Sequence, residues 1–421
     1  MKQQTKALHA GYDKDSQSTM AVPIYQTTAY EFRDVEHAAN LFALKELGNI
    51  YTRLNNPTTD VFEKRFAEME GGEAAIAASS GMAAIFYAIA NAAEAGDNII
   101  CASQLYGGTL TQASHTLKRF GIEARFFDVQ NPGAIEALID DKTKVIFFET
   151  LTNPSIDVAD ITAITSIANR HNILTVVDNT VATPILCHPF EHGVDISVHS
   201  ASKYTTGQGL AIGGIMVERK GLVEKLKGNA RYPQFNEPDM SYHGLVYVDI
   251  PLPPYSLRAR LSLLRDLGAV ASPFNSWLFI QGLETLPLRM REHSHNALVV
   301  AEFLEAHPMV SKVNYPGLTS NANYTNAQRY FENGASSGLL SFEVSSLAKA
   351  KAVVDAIEIF SLVVNIGDSK SIITHPASTT HQQLSTQELD ACGVPEGMIR
   401  LSIGLESPVD LIADLKQALE A

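Results

Sequence analysis

Residues 195–203 read Asp-Ile-Ser-Val-His-Ser-Ala-Ser-Lys, so an apolar run is followed at once by two serines and a lysine. We interpret 195–199 as a buried strand, which places Ser200, Ser202 and Lys203 just beyond its carboxyl end. There the lysine amine can form a Schiff base with an aldehyde cofactor, and the serine hydroxyls can hydrogen-bond the phosphate of that cofactor. Because short motifs often match by accident, a surface lysine in a turn is the alternative interpretation.

Short apolar runs alternate with helical stretches from residue 61 to residue 217. The runs are Ala74–Ala78, Asn98–Ala102, Lys144–Glu149, Leu174–Asp178, Asp195–His199 and Ile212–Val217. The helical stretches include Ala83–Glu94, Thr109–Phe120 and Ile161–His171. This alternation predicts an α/β fold with a mainly parallel sheet and helices on both of its faces. Ligands of such sheets bind outside the carboxyl ends of the strands, where Asp178, Ser200 and Lys203 are expected.

We divide the chain into an N-terminal arm (1–60), a cofactor-binding domain (61–265) and a smaller α+β C-terminal domain (266–421). The arm contains chain-breaking residues and little periodicity, so we expect it to be irregular. Such a segment cannot hold a core of its own. We therefore expect it to lie on another surface, which a partner subunit can supply.

Several segments beyond residue 217 depart from the alternating pattern. The segment Tyr232–Tyr255 is rich in proline and aromatic residues, and we expect it to lie over the surface or against a neighbour. A mostly helical run, Leu257–Leu286 with an interruption at Pro273, is predicted to precede a separate helix at Glu292–His307. Leucines at four-residue steps predict a final amphipathic helix over Ser407–Ala421.

The composition excludes some classes of function. The 421 residues carry 32 Lys and Arg against 46 Asp and Glu, and the resulting net charge of −14 argues against nucleic-acid binding. The N-terminus lacks the apolar segment of a signal peptide, and no apolar run approaches the roughly 18 residues of a membrane-spanning helix. The three cysteines, Cys101, Cys187 and Cys392, show no metal-like spacing and are interpreted as reduced thiols. We therefore expect a cytoplasmic protein without a metal site.

Two further positions have the chemistry of a cofactor site. Asp178 closes the apolar strand 174–178, and a buried carboxylate there is costly unless it meets a cation such as a protonated pyridine nitrogen. A helix N-cap is the alternative for Asp178. Gly81 and Met82, which follow Ser80, open the helix after the first strand, and helix N-termini bind phosphate. The alternative there is a plain helix start after a glycine turn.

Three residues each leave two interpretations open. Tyr106 can stack on a cofactor ring or pack as a loop aromatic. Arg53, in the arm, offers a bidentate donor to phosphate, although a solvated surface arginine is the ordinary outcome. Arg400 lies in an apolar, strand-like run and requires a carboxylate, which either a protein acid or an amino-acid substrate can supply.

Together these motifs resemble those of the cysteine/methionine-metabolism family of pyridoxal phosphate enzymes, which have the fold-type I architecture. The family includes cystathionine synthases and lyases, methionine γ-lyases and O-acetylhomoserine sulfhydrylases. The resemblance extends from the arm to the C-terminus, and an ordered set of motifs makes it specific. The motifs are Tyr51-Thr52-Arg53, Ser80-Gly81-Met82, Tyr106-Gly107-Gly108, Asp178-Asn179-Thr180 and Ser200-Ala201-Ser202-Lys203-Tyr204.

The resemblance implies that pyridoxal 5′-phosphate is bound covalently to Lys203. It also implies that Asp178 pairs with the ring nitrogen and that Asn153 lies near the ring hydroxyl. Tyr106 is expected to stack on the ring and to assist as an acid or base. The residues expected to bind the phosphate are Gly81, Met82, Ser200 and Ser202, with Tyr51 and Arg53 from the adjacent subunit.

The resemblance extends to the substrate and to the assembly. Arg400, with Asn365 beside it, is expected to hold the α-carboxylate of an amino-acid substrate. A site that takes residues from the adjacent subunit requires at least a homodimer, and tetramers are usual in the family. No nucleic acid or membrane is expected as a partner.

Three details favour the sulfhydrylase members of the family. Residues 365–371 and 375–381 resemble the sulfhydrylase version of this segment, and Asn365 stands where cystathionine enzymes and γ-lyases tend to have a serine. The segment 232–255 resembles an insertion that lengthens sulfhydrylases. Gly108 occupies the place of a cysteine in methionine γ-lyases.

The implied activity is a γ-replacement on O-acetyl-L-homoserine, in which sulfide or a related sulfur donor gives homocysteine and acetate in methionine biosynthesis. Methionine γ-lyase or cystathionine γ-synthase chemistry is the alternative within the family, and a non-catalytic binding protein is the alternative outside it. The sequence leaves open whether the sulfur arrives as free sulfide, a thiol or a protein sulfur carrier. It also leaves open whether the activating group is acetyl or succinyl.

Overall fold

The computed structural model describes residues 1–379, 382 and 393–421, and the chain folds around two β-sheets. Cys392 and the end of the 375–381 motif, Thr380 and His381, lie outside the described residues. The strands of the larger sheet are β1 (Gly72–Ala78), β2 (Asn98–Ala102), β3 (Glu123–Phe127), β4 (Thr143–Glu149), β5 (Leu174–Asp178), β6 (Ile196–Ser200) and β7 (Gly214–Arg219).

The larger sheet is mainly parallel, as predicted. Its strand order is β1-β7-β6-β5-β4-β2-β3. The strands from β3 to β6 are parallel to their neighbours, whereas β7 runs antiparallel to both β6 and β1. The predicted α/β fold class is therefore confirmed.

The central strands are nearly continuous apolar runs that end in polar residues. Residues 145–148 of β4 and 174–177 of β5 are all buried, which is typical of parallel strands enclosed by other elements. The next residue in each strand is acidic, and the register of the pair sets Glu149 of β4 opposite Asp178 of β5. Because β6 is parallel to them and ends at Ser200, all three polar ends meet at one edge of the sheet.

The helices surround this sheet and connect its strands. Those of the described residues are α1 (Gln3–His9), α2 (Val35–Phe42), α3 (Pro57–Glu70), α4 (Gly81–Ala90), α5 (Gly107–Thr111), α6 (Leu117–Arg119), α7 (Ile161–Arg170), α8 (Thr183–Leu186), α9 (Val223–Leu226), α10 (Pro233–Asn236), α11 (Pro254–Arg258), α12 (Arg265–Leu267), α13 (Pro273–Ala306), α14 (Tyr324–Tyr330), α15 (Leu347–Ala356) and α16 (Pro408–Glu420). Segments of π-helix join α5 to α6 and α11 to α12. None of these helices combines the length and the apolar character that a membrane crossing requires.

A smaller sheet forms in the last third of the chain. Its strands are β8 (Lys312–Asn314), β9 (Leu339–Glu343), β10 (Ser361–Leu362), β11 (Ile372–Thr374) and β12 (Met398–Ser402). They are arranged in the order β10-β11-β12-β9-β8. This sheet has its own apolar core with α15, α16 and the second half of α13, while the first half of α13 packs into the core of the larger sheet. The boundaries at residues 60 and 265 remain predictions.

The split of the helix between Leu286 and Glu292 was a wrong prediction. The structure has one helix of 34 residues, α13, with Pro287 inside it. Proline removes one hydrogen bond of the helical ladder and ordinarily breaks or kinks a helix. Here the helix packs into both apolar cores, and this tertiary packing outweighs the local cost.

Two other predictions need correction. The arm is not irregular throughout, because it contains α1 and α2 and the start of α3, and α1 packs on α3 and α13 of the same chain. The segment Tyr232–Tyr255 does not simply lie over the surface. Four of its five tyrosine and phenylalanine residues are fully buried, namely Tyr232, Phe235, Tyr247 and Tyr255. Aromatic rings bury large areas, so an aromatic-rich segment gains more by packing inward.

Candidate active site

A cavity of about 420 Å³ lies at the carboxyl edge of the larger sheet, and β12 and the segment before β11 close its other side. Every predicted site residue except Tyr51 and Arg53 lines this cavity. The structure thus brings together residues that are up to 319 positions apart, from Gly81 to Arg400. Asp178, Ser200 and Lys203, which were predicted at the carboxyl ends of strands, line the cavity at that edge of the sheet.

Lys203 follows β6 by three positions and points into the cavity. Its Nζ donates a hydrogen bond of 2.6 Å to the side-chain oxygen of Asn365. Burial lowers the pKa of the Lys203 amine to about 8, and the charge of Arg400 acts in the same direction. A substantial fraction of this amine is therefore neutral just above neutral pH, and the neutral amine is the nucleophile that attacks an aldehyde.

The start of α4 and the end of β6 form one wall of the cavity. Ser80 caps the helix, since its hydroxyl accepts a hydrogen bond of 3.1 Å from the backbone N–H of Ala83. A Cβ on Gly81 would lie 2.7 Å from the Cβ of Ser200, so only glycine allows this close approach. The first N–H groups of a helix have no partner within it, and here they stand beside serine hydroxyls. This wall fits a phosphate group.

Asp178 lines the cavity at the end of β5. Its carboxylate accepts hydrogen bonds from the backbone N–H of Thr180 at 2.9 Å and from the Thr180 hydroxyl at 2.5 Å. Burial raises the pKa of Asp178, against the opposing effect of these two bonds. The alternative that Asp178 caps a helix is wrong, because α8 begins at Thr183 with Ala182 at its N-cap. A buried carboxylate in this position can accept a cationic partner from the cavity.

Arg400 is a buried cation in the middle of β12. Its guanidinium donates to the side-chain oxygen of Asn153 at 2.9 Å, the backbone oxygen of Asn365 at 3.0 Å and the Thr374 hydroxyl at 3.3 Å. None of these partners among the described residues is a carboxylate, and Nε has no hydrogen-bond partner. Burial lowers the pKa of Arg400 to about 10. A buried arginine that no carboxylate of the described residues neutralises can bind the carboxylate of a ligand.

Glu149 is a lining residue that the sequence analysis did not single out. Its two carboxylate oxygens accept backbone N–H groups, from Tyr106 at 2.7 Å and from Asn153 at 3.1 Å. Burial raises the pKa of Glu149 well above its ordinary value, and the neighbouring Asp178 adds to the effect. The signal was present in the sequence, because Glu149 ends an apolar strand in the same way as Asp178.

Tyr106 stands at the mouth of the cavity, at the start of α5. Tyr106 is 43% exposed and lines the cavity, so its ring is available to a ligand there. The ring lies against Gly108, where a Cβ would come within 2.6 Å of the ring atom Cε1. Glycine at position 108 therefore leaves room for the ring in this orientation.

Tyr51 and Arg53 do not reach the cavity of their own chain. The Arg53 guanidinium donates to the backbone oxygen of Arg265 and lies 5.6 Å from the centre of the Tyr51 ring. Tyr51 is 42% exposed. Their predicted contribution to the site of an adjacent subunit remains a prediction.

The described residues fit pyridoxal phosphate in each part of that molecule. The lysine amine, with its lowered pKa, fits the aldehyde, and the helix start beside the serines fits the phosphate. The buried carboxylate of Asp178 fits a protonated ring nitrogen. The class of protein that this arrangement defines is a pyridoxal phosphate enzyme that acts on an amino acid.

Comparison with known proteins agrees with this class. The family model described as Cys/Met metabolism PLP-dependent enzyme matches residues 4–420. The chain belongs to this family. An O-acetyl-L-homoserine sulfhydrylase of Leptospira meyeri is 47% identical over 430 residues, covering 100% of this chain and 97% of the relative. A homocysteine/cysteine synthase of Kluyveromyces lactis is 45% identical, with 98% and 96% of the two chains covered.

A solved structure is also very similar. It is a crystal structure of a protein from Campylobacter jejuni assigned as an O-acetylhomoserine (thiol)-lyase. The sequence identity is 53%, the TM-score is 0.99, and each chain is covered completely. That crystal structure contains a lysine that carries the pyridoxyl phosphate group. The cofactor of the present chain is accordingly pyridoxal 5′-phosphate.

Proposed function

We propose that the chain is an O-acetylhomoserine sulfhydrylase, which replaces the acetoxy group of O-acetyl-L-homoserine by sulfide and releases homocysteine and acetate. The observation that carries this proposal is the pairing of two cations in one cavity. The Lys203 amine, with its pKa of about 8, shares Asn365 with the buried Arg400, which has no carboxylate partner among the described residues. An amino acid supplies the missing carboxylate. The names of the relatives support the reaction itself.

The cofactor-binding roles follow the parts of the cavity. We assign the covalent attachment to Lys203, the ring nitrogen to Asp178 and the ring hydroxyl to Asn153, and Tyr106 to the face of the ring. The residues assigned to the phosphate are Gly81, Met82, Ser200 and Ser202, with Tyr51 and Arg53 of an adjacent subunit. When bound, pyridoxal phosphate withdraws electrons from the bonds at the α-carbon of the amino acid.

The chain itself supplies binding and proton transfer. Arg400 holds the substrate carboxylate through its guanidinium, and Asn365 fixes the position of the Lys203 amine beside it. Lys203 removes the α-proton and donates and accepts protons in the later proton shifts, for which a pKa near the working pH is best suited. Tyr106, at the cavity mouth, assists as an acid or base. Acetate departs from the γ-carbon, and hydrosulfide forms the new bond there.

We further propose a homodimer with shared sites, which assembles into a tetramer, in the cytoplasm. Three apolar side chains at the cavity mouth, Leu210, Ile212 and Val364, are more than half exposed in the single chain, and a partner subunit would cover them. Tyr51 and Arg53 stand away from the cavity of their own chain, as a role in the partner's site requires. The two described cysteines, Cys101 and Cys187, are free and buried, which suits a reducing compartment.

The test is product analysis with O-acetylhomoserine in the presence and absence of sulfide. Homocysteine that forms only with sulfide, together with one equivalent of acetate, is the expected result. Prompt release of 2-oxobutyrate and ammonia without sulfide would instead identify a γ-lyase. Replacing sulfide by methanethiol or by cysteine in the same assay determines which sulfur compounds the cavity accepts.

A further inference from the structure

We infer that Glu149 is a positioning residue, which fixes Tyr106 and Asn153 against the ring of the cofactor through their backbone N–H groups. The inference rests on the proposed function, because both residues are assigned to the cofactor ring there. Glu149 itself stays behind them at the end of β4 and has no assigned contact with the substrate.

One carboxylate connects two separate segments. Oε1 accepts the N–H of Tyr106, which precedes α5, and Oε2 accepts the N–H of Asn153, four residues after Glu149. The two oxygens of a carboxylate are held in one rigid plane, so the two backbone segments are fixed relative to each other.

The connection continues from Asn153 to the substrate side of the cavity. The backbone of Asn153 is bound by Glu149, and its side-chain oxygen accepts the bond of 2.9 Å from Arg400. Arg400 in turn donates to the backbone oxygen of Asn365, whose side chain accepts the Lys203 amine. Glu149 is therefore the first member of a continuous hydrogen-bonded series that ends at Lys203.

The location of Glu149 is unfavourable unless the residue has such a role. It is buried beside the carboxyl group of Asp178, directly across the β4–β5 register, and an apolar residue would avoid both the desolvation of a carboxyl group and its unfavourable interaction with Asp178. The neighbouring positions of β4 are indeed apolar. A carboxyl group stands at this position, where the backbone N–H groups of two cavity-lining residues each find an acceptor oxygen.

The same sheet offers a matched control in Glu218 of β7. Glu218 is also buried, and its two oxygens also accept one backbone N–H each, from Tyr255 at 3.3 Å and Ser256 at 2.7 Å. It does not line the cavity. Replacing Glu218 by glutamine therefore serves as the control for replacing Glu149 by glutamine. An effect that both substitutions cause reflects the general loss of a buried acceptor.

The experiment compares Glu149→Gln, Glu149→Asp and Glu218→Gln in the full-length protein. The dissociation constant of pyridoxal 5′-phosphate is measured by titrating the cofactor-depleted chain, and the circular dichroism of the bound cofactor reports the orientation of its ring. In Glu149→Gln the amide nitrogen faces one of the two N–H donors. We expect the dissociation constant to rise about tenfold and the dichroic band to change in amplitude.

Glu218→Gln should keep the dissociation constant and the dichroic band of the wild type, even where its thermal midpoint falls. Glu149→Asp keeps a carboxyl group with two acceptor oxygens and should restore part of the affinity, and it replaces the glutamine variant if that variant does not fold. A Glu149 variant with wild-type affinity and dichroism would overturn the inference, as would equal losses in Glu218→Gln. A wild-type chain that binds no pyridoxal phosphate would refute the proposed function, and the inference with it.

Discussion

The amine of Lys203 and the side-chain oxygen of Asn365 are 2.6 Å apart, although the two residues lie in loops that adjoin different sheets. Lys203 follows the carboxyl end of β6, and Asn365 lies between β10 and β11 of the smaller sheet. The bond holds the amine beside Arg400, whose charge acts with burial to keep the pKa of Lys203 low. The smaller sheet therefore determines both the position and the reactivity of a residue on the larger one.

Covalent attachment of the cofactor should depend on pH through Lys203. Only the neutral amine attacks an aldehyde, so the rate at which cofactor-depleted protein reacts with pyridoxal phosphate should rise with pH and level off above the pKa of about 8. Stopped-flow absorbance measures this rate. Nα-acetyl-lysine is the control, because its amine titrates near pH 10.4, and its rate should keep rising up to about that pH. Lys203→Ala should show neither attachment nor turnover, and a constant protein rate across this range would contradict the assignment.

Arg400→Ala should weaken substrate binding more than cofactor binding. Among the described residues the guanidinium makes three hydrogen bonds and Nε has no partner, so its removal takes away the proposed partner of the substrate carboxylate. We expect KM for O-acetylhomoserine to rise on the order of 10- to 100-fold, from the loss of charged hydrogen bonds, while the absorbance of bound cofactor persists. Arg400→Lys keeps the charge but not the planar fork and should recover only part of the loss. An unchanged KM would assign the carboxylate to another residue.

Gly108→Ala should displace the ring of Tyr106. The added Cβ would lie 2.6 Å from the ring atom Cε1, closer than any ordinary carbon contact, so the ring must rotate away. Because the ring faces the cofactor in the proposed site, we expect kcat to fall on the order of tenfold, as for a modest misplacement of a reacting group. Gly133→Ala is the matched control, since its Cβ would meet its nearest neighbour at 3.6 Å. Equal activity of both variants would show that the Tyr106 orientation does not matter.

The sequence predicted the site better than it predicted the surrounding structure. Asp178, Ser200 and Lys203 could be placed together because apolar strands, the alternation with helices and the chemistry of the strand ends are all local patterns. The same logic applies to Glu149, but a single glutamate after an apolar run does not reveal which backbone N–H groups it will accept. Those donors come from the folded positions of Tyr106 and Asn153.

The wrong predictions have a common physical cause. The continuity of α13 through Pro287 and the burial of Tyr232 both depend on what packs against these residues. Tyr232, for example, accepts the N–H of Leu174 and donates to the backbone oxygen of Lys144, which links it to two strands more than 50 positions away. Local propensity carries no information about such partners, because tertiary contacts decide the outcome.

The stability of the cofactor-depleted protein should contain a pH-dependent contribution from Glu218. Burial raises the pKa of Glu218 to about 7, whereas an unfolded glutamate titrates near 4.3. Between these two pKa values Glu218 is protonated in the folded protein and ionised in the unfolded one. Its contribution to the free energy of unfolding is therefore highest below about pH 4 and falls as the pH rises to about 7. Glutamine does not titrate, so the free energy of unfolding of Glu218→Gln should rise relative to that of the wild type by on the order of 3 kcal/mol from about pH 4 to about pH 7. Chemical denaturation of both proteins at several pH values measures this difference, and a difference that stays constant with pH would contradict the raised pKa.

Subunits that are inactive alone should restore activity when they are mixed, if Arg53 acts in the site of its partner. Lys203→Ala removes the amine, and Arg53→Ala weakens the predicted phosphate contact, so each protein alone should have little activity at a cofactor concentration that just saturates the wild type. In a hybrid dimer, one site combines the intact Lys203 of one chain with the intact Arg53 of the other. Random assortment makes half of the dimers hybrid, so about a quarter of all sites should recover.

The reverse geometry gives a different result in the same experiment. If Arg53 served the site of its own chain, each site of a hybrid would lack either the amine or the guanidinium, and mixing would restore nothing. The position of Arg53 outside the cavity of its own chain favours recovery. Denaturing and refolding the two proteins together, with size-exclusion chromatography to confirm the oligomer, allows the subunits to exchange. Each variant refolded alone is the control, because recovery in either of these would come from refolding and not from a shared site.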